Sequence, residues 1–222
     1  MKAIILSAGR GERLRPLTDH TPKPLLKAGE HRLIEHLIIA LVNAGITEII
    51  INYAHLGQQF PETLGNGQQF GANISYSPEQ EGGLETAGGI IKALPLLGDE
   101  PFLVVNGDIW TDYPFEQLNN LTLDDNCLAH LVLVENPEHH PHGDFSLSSG
   151  LLDQQGQDKY TFSGVAVYHP DFFADLNVQR LALKPLLLDA ISKQQLQGEL
   201  YQGLWSDIGT VERLEQLNEQ LA

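Results

Sequence analysis

The sequence has a single cysteine, Cys127, so it carries no internal disulfide and cannot build a cysteine-based zinc site. It has no apolar run near the roughly 20 residues of a membrane span. Its short opening apolar run meets Gly9, Arg10 and Glu12 at once, which excludes a signal peptide reading. It is poor in cations: 13 Lys and Arg stand against 29 Asp and Glu, a net charge of -16. That balance excludes general binding to nucleic acid or to an anionic membrane. It also has no internal repeat. A soluble protein of a reducing cytoplasm is the expectation.

What is present is ordered in a telling way. With 222 residues, 42% of them apolar, the chain is long enough to bury the core of one domain. Seven of the cations fall in residues 1–32 with only three acids, so that stretch carries +4. The other six face 26 acids, giving -20 over residues 33–222. One basic segment in an acidic chain suits a small anion, although a solvated face would look the same.

The hydrophobic period alternates between strand and helix. Residues 2–7 read as a buried strand. Residues 32–44 hold apolar positions at helical spacing and stop at Gly45. Strands are expected at 47–53, 73–77, 101–105, 128–134 and 160–168, and helices at 58–64, 84–94 and 211–221. Residues 148–158 read as a turn or hairpin tip. Alternation through residue 105 implies right-handed βαβ units and a mainly parallel sheet. One domain is expected, in two parts at about 1–110 and about 111–222.

The segment Leu6-Ser7-Ala8-Gly9-Arg10-Gly11-Glu12-Arg13 leaves the first strand, where ligands of such sheets bind. Gly9 and Gly11 let a backbone approach phosphate closely, and Arg13 adds a fork of donors. The run lacks the third glycine of G-x-G-x-x-G and the G-K-[ST] ending of a P-loop. Lys23 stands between Pro22 and Pro24, which limit where its ammonium can go; an ordinary surface turn is the plainer alternative.

Together, L-S-A-G-R-G-E-R-L-R-P-L-T-D-H-T-P-K-P-L-L closely resembles the signature of the sugar-1-phosphate nucleotidyltransferases. Ser7 replaces the usual alanine, and Gly29-Glu30-His31-Arg32 loses a usual proline. The resemblance continues through L-E-T-A-G-G, V-V-N-G-D and W-S-D-I-G-T. It implies an α/β fold, a Rossmann-like three-layer α/β/α nucleotidyltransferase fold with a mixed, mainly parallel central sheet. It also implies Mg²⁺ as cofactor, with Asp108 and Asp207 as metal ligands, and Arg13 and Lys23 as the catalytic cations. Read alone, each carboxylate would serve equally well as a cap, of a turn or of the last helix.

The resemblance further implies nucleotide contacts from Leu6, Ala8, Gly9, Gly11, Glu12, Arg13, Lys23, Glu79, Glu85 and Thr86. Glu79 or Glu81 would accept from an N–H of uracil or guanine, and Thr86 is a fair N-cap. Gly88 and Gly89 would allow close approach. Asn106, Gly143, Asp144 and Ser163, the last in a Ser-Gly pair expected to follow a strand, are expected at the sugar. His139, His140 and His142 are candidate donors to it, with a plain loop or a metal site as alternatives. The variant L-E-T-A-G-G and the run V-E-N-P-E-H-H-P-H-G-D-F resemble one subgroup, uridylyltransferases acting on N-acetylmuramate α-1-phosphate in cell-wall recycling. The implied partners are UTP and that sugar 1-phosphate. Mannose-1-phosphate guanylyltransferases are the alternative.

Overall fold

The computed structural model describes residues 1–222. In chain order the elements are β1 (Lys2–Leu6), the two-residue strands β2 (Lys27–Ala28) and β3 (His31–Arg32), α1 (Leu33–Asn43), β4 (Glu48–Tyr53) and α2 (Gln59–Leu64). Then come β5 (Asn73–Pro78), α3 (Glu85–Leu97), β6 (Phe102–Asn106), β7 (Ile109–Thr111), α4 (Glu116–Asn119) and β8 (Ala129–Val134). The remainder is β9 (Phe145–Ser148), β10 (Leu151–Asp153), β11 (Lys159–Tyr168), α5 (Leu183–Ser192), β12 (Leu196–Tyr201), β13 (Trp205–Asp207) and α6 (Val211–Gln220).

Nine strands form one sheet in the order β5-β4-β1-β6-β11-β8-β12-β10-β9. Strands β5, β4, β1 and β6 are parallel, and so are β8 and β12. Strand β11 runs against both its neighbours, and β9 and β10 form an antiparallel edge. The parallel character is therefore strongest in the first half of the chain, where the βαβ pattern is read most easily.

Both faces of the sheet are covered, which is why its central strands carry unbroken apolar runs such as Ala3–Leu6, Ile49–Ile51 and Phe102–Val105. Ala3 and Ile5 pack with α1 and α2 on one face, and Ile4 packs with α3 on the other. The same alternation recurs at Ile49, Ile50 and Ile51 and at Leu103, Val104 and Val105. Each fully buried aliphatic chain contributes about 1.5–3 kcal/mol. A smaller third cluster lays α6 against Leu14, Leu26, Ala28 and Leu33, so the chain's last helix covers its first loops.

Helix α3 extends to Leu97, beyond the expected 94, because Pro95 falls in its last turn and Gly98 (φ 90°) ends it. Thr86 is not an N-cap: the cap position is Leu84, without a side-chain bond, and Thr86 lies inside the helix. Residues 148–158 are more than a tip, since β10 lies within them and pairs with both β9 and β12. Ser163 and Gly164 do not follow a strand but lie inside β11, where its pairing with β8 slips between Phe162 and Val165.

Candidate functional site

Two cavities open beside the carboxyl ends of the parallel strands, where β1 parts the chain's route to β4 on one side and β6 on the other. The first is a cleft of about 730 Å³. Its walls include Leu6, Ala8, Gly9, Gly11, Glu12, Arg13, Lys23, Glu85, Thr86, Asn106 and Asp108.

The loop after β1 is held from below. Ser7 N donates to Asn52 Oδ1 (2.7 Å) at the end of β4, and Asn52 Nδ2 donates to Glu79 Oε1 (2.6 Å) beyond β5. Gly11 sits at φ 69°, in the left-handed region, and its carbonyl accepts from Thr18 Oγ1 at 2.9 Å. A Cβ there would stand 3.0 Å from Thr18 Cγ2 and 3.2 Å from the Lys23 Cβ. Gly9 differs: no atom lies within 4 Å of a Cβ built on it, so its open side is the cleft itself.

Lys23 is 8% exposed, held between its two prolines, and its Nζ meets Asp108 Oδ2 at 2.6 Å. Gly107 brings this turn onto β1: its N–H donates to Leu6 O at 2.8 Å, and a Cβ there would come within 2.6 Å of Ser7 Oγ. The Ser7 and Gly107 positions thus pack the phosphate-type loop against the carboxylate turn.

Asp207 is brought beside Asp108 through the backbone. Strand β13 pairs with β7, and Ile208 N donates to Asp108 O at 2.8 Å. Its carboxylate does not line the cleft. It is taken by the Arg213 guanidinium and by His139 Nε2 at 2.9 Å. Thr210, whose Oγ1 accepts from Arg213 N, caps α6, so Asp207 is not that cap. Gly209, between them, faces a cationic corner: a Cβ there would stand 2.2 Å from Arg213 Nη2 and 2.9 Å from Arg13 Nη2.

Several predicted contacts lie elsewhere. Glu79 is buried, outside the cleft, with Oε1 accepting from Asn52 and Oε2 from Leu84 N (2.7 Å). Glu81 is the acid of that loop that lines the cleft. Gly88 and Gly89 serve packing instead of ligand approach. A Cβ on Gly88 would strike Gln179 O at 2.1 Å, and one on Gly89 would strike Glu79 Oε1 at 2.6 Å.

The second cavity, of about 430 Å³, shares Leu6, Glu85, Thr86 and Asn106 with the first, so the two are contiguous. Asp144, Phe145, Phe162, Gly164, Leu183 and Lys184 line its far side. Tyr168 is also in the wall, with its hydroxyl fully buried and unpartnered, and burial pushes its pKa up. Gly164 (φ 82°) makes room for Asn106, whose Nδ2 would lie 2.4 Å from a Cβ at that position. Ser163 points away into the bulge, its Oγ donating to Val132 O at 2.6 Å. Gly143 forms a tight turn against Lys159.

None of the three histidines lines either cavity. His139 is on Asp207, His140 Nε2 is 3.4 Å from Asp144 Oδ2, and His142 is exposed. Reasoning from sequence missed Arg10 and His55, which line the first cleft and both reach Thr18 O at 3.0 Å. It also missed Arg213. Arg10 could have been found as the first basic residue of the glycine loop, between its two glycines; Arg213, on the last helix, gave no local signal.

Comparison with known proteins agrees with this geometry. The family model described as nucleotidyl transferase matches residues 2–222. The N-acetylmuramate alpha-1-phosphate uridylyltransferase of Neisseria meningitidis is 51% identical over 222 residues, covering 97% of this chain and 96% of that protein. The mannose-1-phosphate guanyltransferase beta-A of Xenopus laevis is 30% identical, and the match covers 94% of this chain but 61% of that longer protein. Among solved structures, the inositol-1-phosphate CTP transferase from T. maritima superposes with a TM-score of 0.78 at 17% identity, over 99% of this chain and 95% of that one.

Proposed function

The chain belongs to the nucleotidyl transferase family, and from that membership we propose that it transfers UMP from UTP to N-acetylmuramate α-1-phosphate in the cytoplasm, releasing pyrophosphate. The observation that carries this reading is the identity shared with the Neisseria enzyme along essentially the whole of both chains. The guanylyltransferase relatives share far less and extend well beyond the matched region.

In this reading residues 1–110 supply the nucleotide cleft and residues 111–222 most of the sugar cavity. UTP lies over Gly9 and Gly11, with its phosphates toward Arg13 and Lys23 and its base toward Glu81, Glu85 and Thr86. The sugar 1-phosphate sits in the second cavity, beside Asn106 and Asp144. A phosphate monoester has its second pKa near 6, so the attacking oxygen is already ionised at neutral pH. No general base is needed. That oxygen forms a bond to the α-phosphorus, and the bond from that phosphorus to the α–β bridging oxygen breaks. Arg13 and Lys23 offset the repulsion between the two anions and the charge that grows on pyrophosphate.

A divalent metal of the Mg²⁺ type would be held by Asp108 and Asp207. Two carboxylates at neighbouring paired strands, with phosphate oxygens, are a hard donor set that suits an ion which keeps several waters. When bound, the ion supplies charge neutralisation between the two phosphates. Lys23 now pairs with Asp108, and Arg213 and His139 pair with Asp207, so the free enzyme keeps both carboxylates neutralised.

The test is a turnover assay of UTP against GTP, crossed with N-acetylmuramate 1-phosphate against mannose 1-phosphate. UTP with the muramate is expected to be the best pair by kcat/KM. GTP with mannose 1-phosphate as the best pair would overturn the reading.

A further inference from the structure

We propose that the Lys184 ammonium, in the first turn of α5, binds the carboxylate of the lactyl arm and so selects a lactyl sugar over sugar phosphates that lack it. The inference rests on the muramate reading above and deepens it.

An acidic substrate has a difficulty with this protein. A chain of net charge -16 repels a second carboxylate, so one extra anionic group on the sugar needs a cation placed for it. The second cavity has only one cation in its wall, Lys184. The histidines are outside it, and so is Arg180, whose Nε lies 2.9 Å from Glu85 Oε1.

Lys184 is free to turn toward a ligand. Its side chain is 66% exposed, and its Nζ stands a loose 3.5 Å from Asp144 Oδ1. Asp144 does not depend on it, because Oδ2 accepts from Phe162 N at 3.1 Å and lies 3.4 Å from His140. The acids facing Lys184 across the cavity are Glu85 and Asp144, so an incoming carboxylate competes for the ammonium with Asp144 alone, Glu85 being paired with Arg180.

The surroundings suit the rest of the arm. Helix α5 has Ala182 at its N-cap position with no side-chain cap, and Ala182, Leu183 and Lys184 line the cavity, so the backbone N–H groups of Leu183 and Lys184 in this ten-residue helix lie beside its wall. Their partial positive charge adds to that of the ammonium. Phe145, Phe162, Leu183 and Leu187 offer an apolar surface for the lactyl methyl and the sugar face. A carboxylate beside a methyl meets a cation beside an apolar wall.

The test compares N-acetylmuramate 1-phosphate with N-acetylglucosamine 1-phosphate, which has the same ring without the lactyl group, using UTP and the intact enzyme. K184Q is expected to raise KM for the lactyl sugar about tenfold, the scale of one charge-assisted contact. KM for the other sugar should move far less, and K184R should restore most of the preference. An unchanged ratio of kcat/KM between the two sugars in K184Q would overturn the proposal. The parent enzyme separates this from the functional reading itself. If it takes up N-acetylglucosamine 1-phosphate and leaves the lactyl sugar unused, the muramate reading fails before any variant is made, and the role of Lys184 fails with it.

Discussion

Lys23 and Asp108 come from turns 85 residues apart and meet at 2.6 Å in the floor of the cleft. Their burial is unequal, which separates a catalytic loss from a folding loss. The Asp108 side chain is 38% exposed, so water solvates it when its partner is removed, and the pair is worth little more than a surface ion pair, about 0–1 kcal/mol. Lys23→Met keeps the buried stem and removes the charge. It should lower kcat/KM by about 10²-fold or more, with a melting temperature close to the parent's. A change under about threefold would take Lys23 out of the phosphate-stabilising role. Asp108→Asn and Asp207→Asn keep size and shape while removing a hard anionic ligand. Each should lower kcat by about 10²-fold or more and raise the Mg²⁺ concentration needed for half-maximal rate. A near-parental Mg²⁺ titration for either variant would show that its carboxylate is not a ligand.

At the level of the element, two glycines that look alike in sequence do different work. Gly9 leaves the end of β1 and faces open space, whereas Gly88 in α3 is pressed against the backbone at Gln179. That contact lets the strap before α5 lie on α3, with Leu181 N donating to Leu84 O at 2.9 Å and Gly88 N to Leu181 O at 3.2 Å. Gly88→Ala should destabilise the fold by about 1–3 kcal/mol through overpacking. Gly9→Ala should leave stability within about 0.5 kcal/mol and raise KM for UTP, because its methyl enters the cleft. Thermal melts and UTP kinetics on both variants check this; a reversed pattern would assign each glycine the other role.

The same comparison explains what the sequence made legible. Strands β1, β4 and β6 are buried on both faces, so they appear as short unbroken apolar runs before polar or glycine-bearing stretches. The glycine loop and the Pro-Lys-Pro turn are contiguous, so their joint presence could be read directly. The later elements carry weaker signals. Helix α5 has Pro185 in its first turn and no side-chain cap, and β12 mixes Gly198 and Glu199 into its apolar residues. Arg213 reaches Asp207 only because α6 folds back onto the first loops, and His139 and His140 pair with Asp207 and Asp144 without lining either cavity. Contacts of that kind depend on tertiary placement and leave no local spacing to read.

Across the whole molecule, the sheet continues beyond the two cavities and buries a titratable residue outside both of their walls. His130 on β8 is 8% exposed, and neither ring nitrogen has a hydrogen-bond partner. The Glu199 carboxylate on neighbouring β12 stands 3.9 Å away, and its other oxygen accepts from the Tyr113 hydroxyl. Burial lowers the His130 pKa and outweighs the attraction of Glu199, which raises it. The folded protein therefore holds this ring neutral at pH values where the unfolded chain, with a histidine pKa of about 6.5, has bound a proton. The unfolded state binds more protons in that window, so stability contributed by the neutral ring is present above about pH 6.5 and is lost as pH falls below it. The melting temperature should fall between pH 7.5 and pH 5. His130→Leu removes the group that must stay neutral while keeping an apolar side chain in the sheet, so its melting temperature should fall less over the same interval. Every other histidine is common to both proteins and cancels in the comparison. An equal fall in parent and variant would mean that His130 takes up its proton in the folded state as readily as in the unfolded chain.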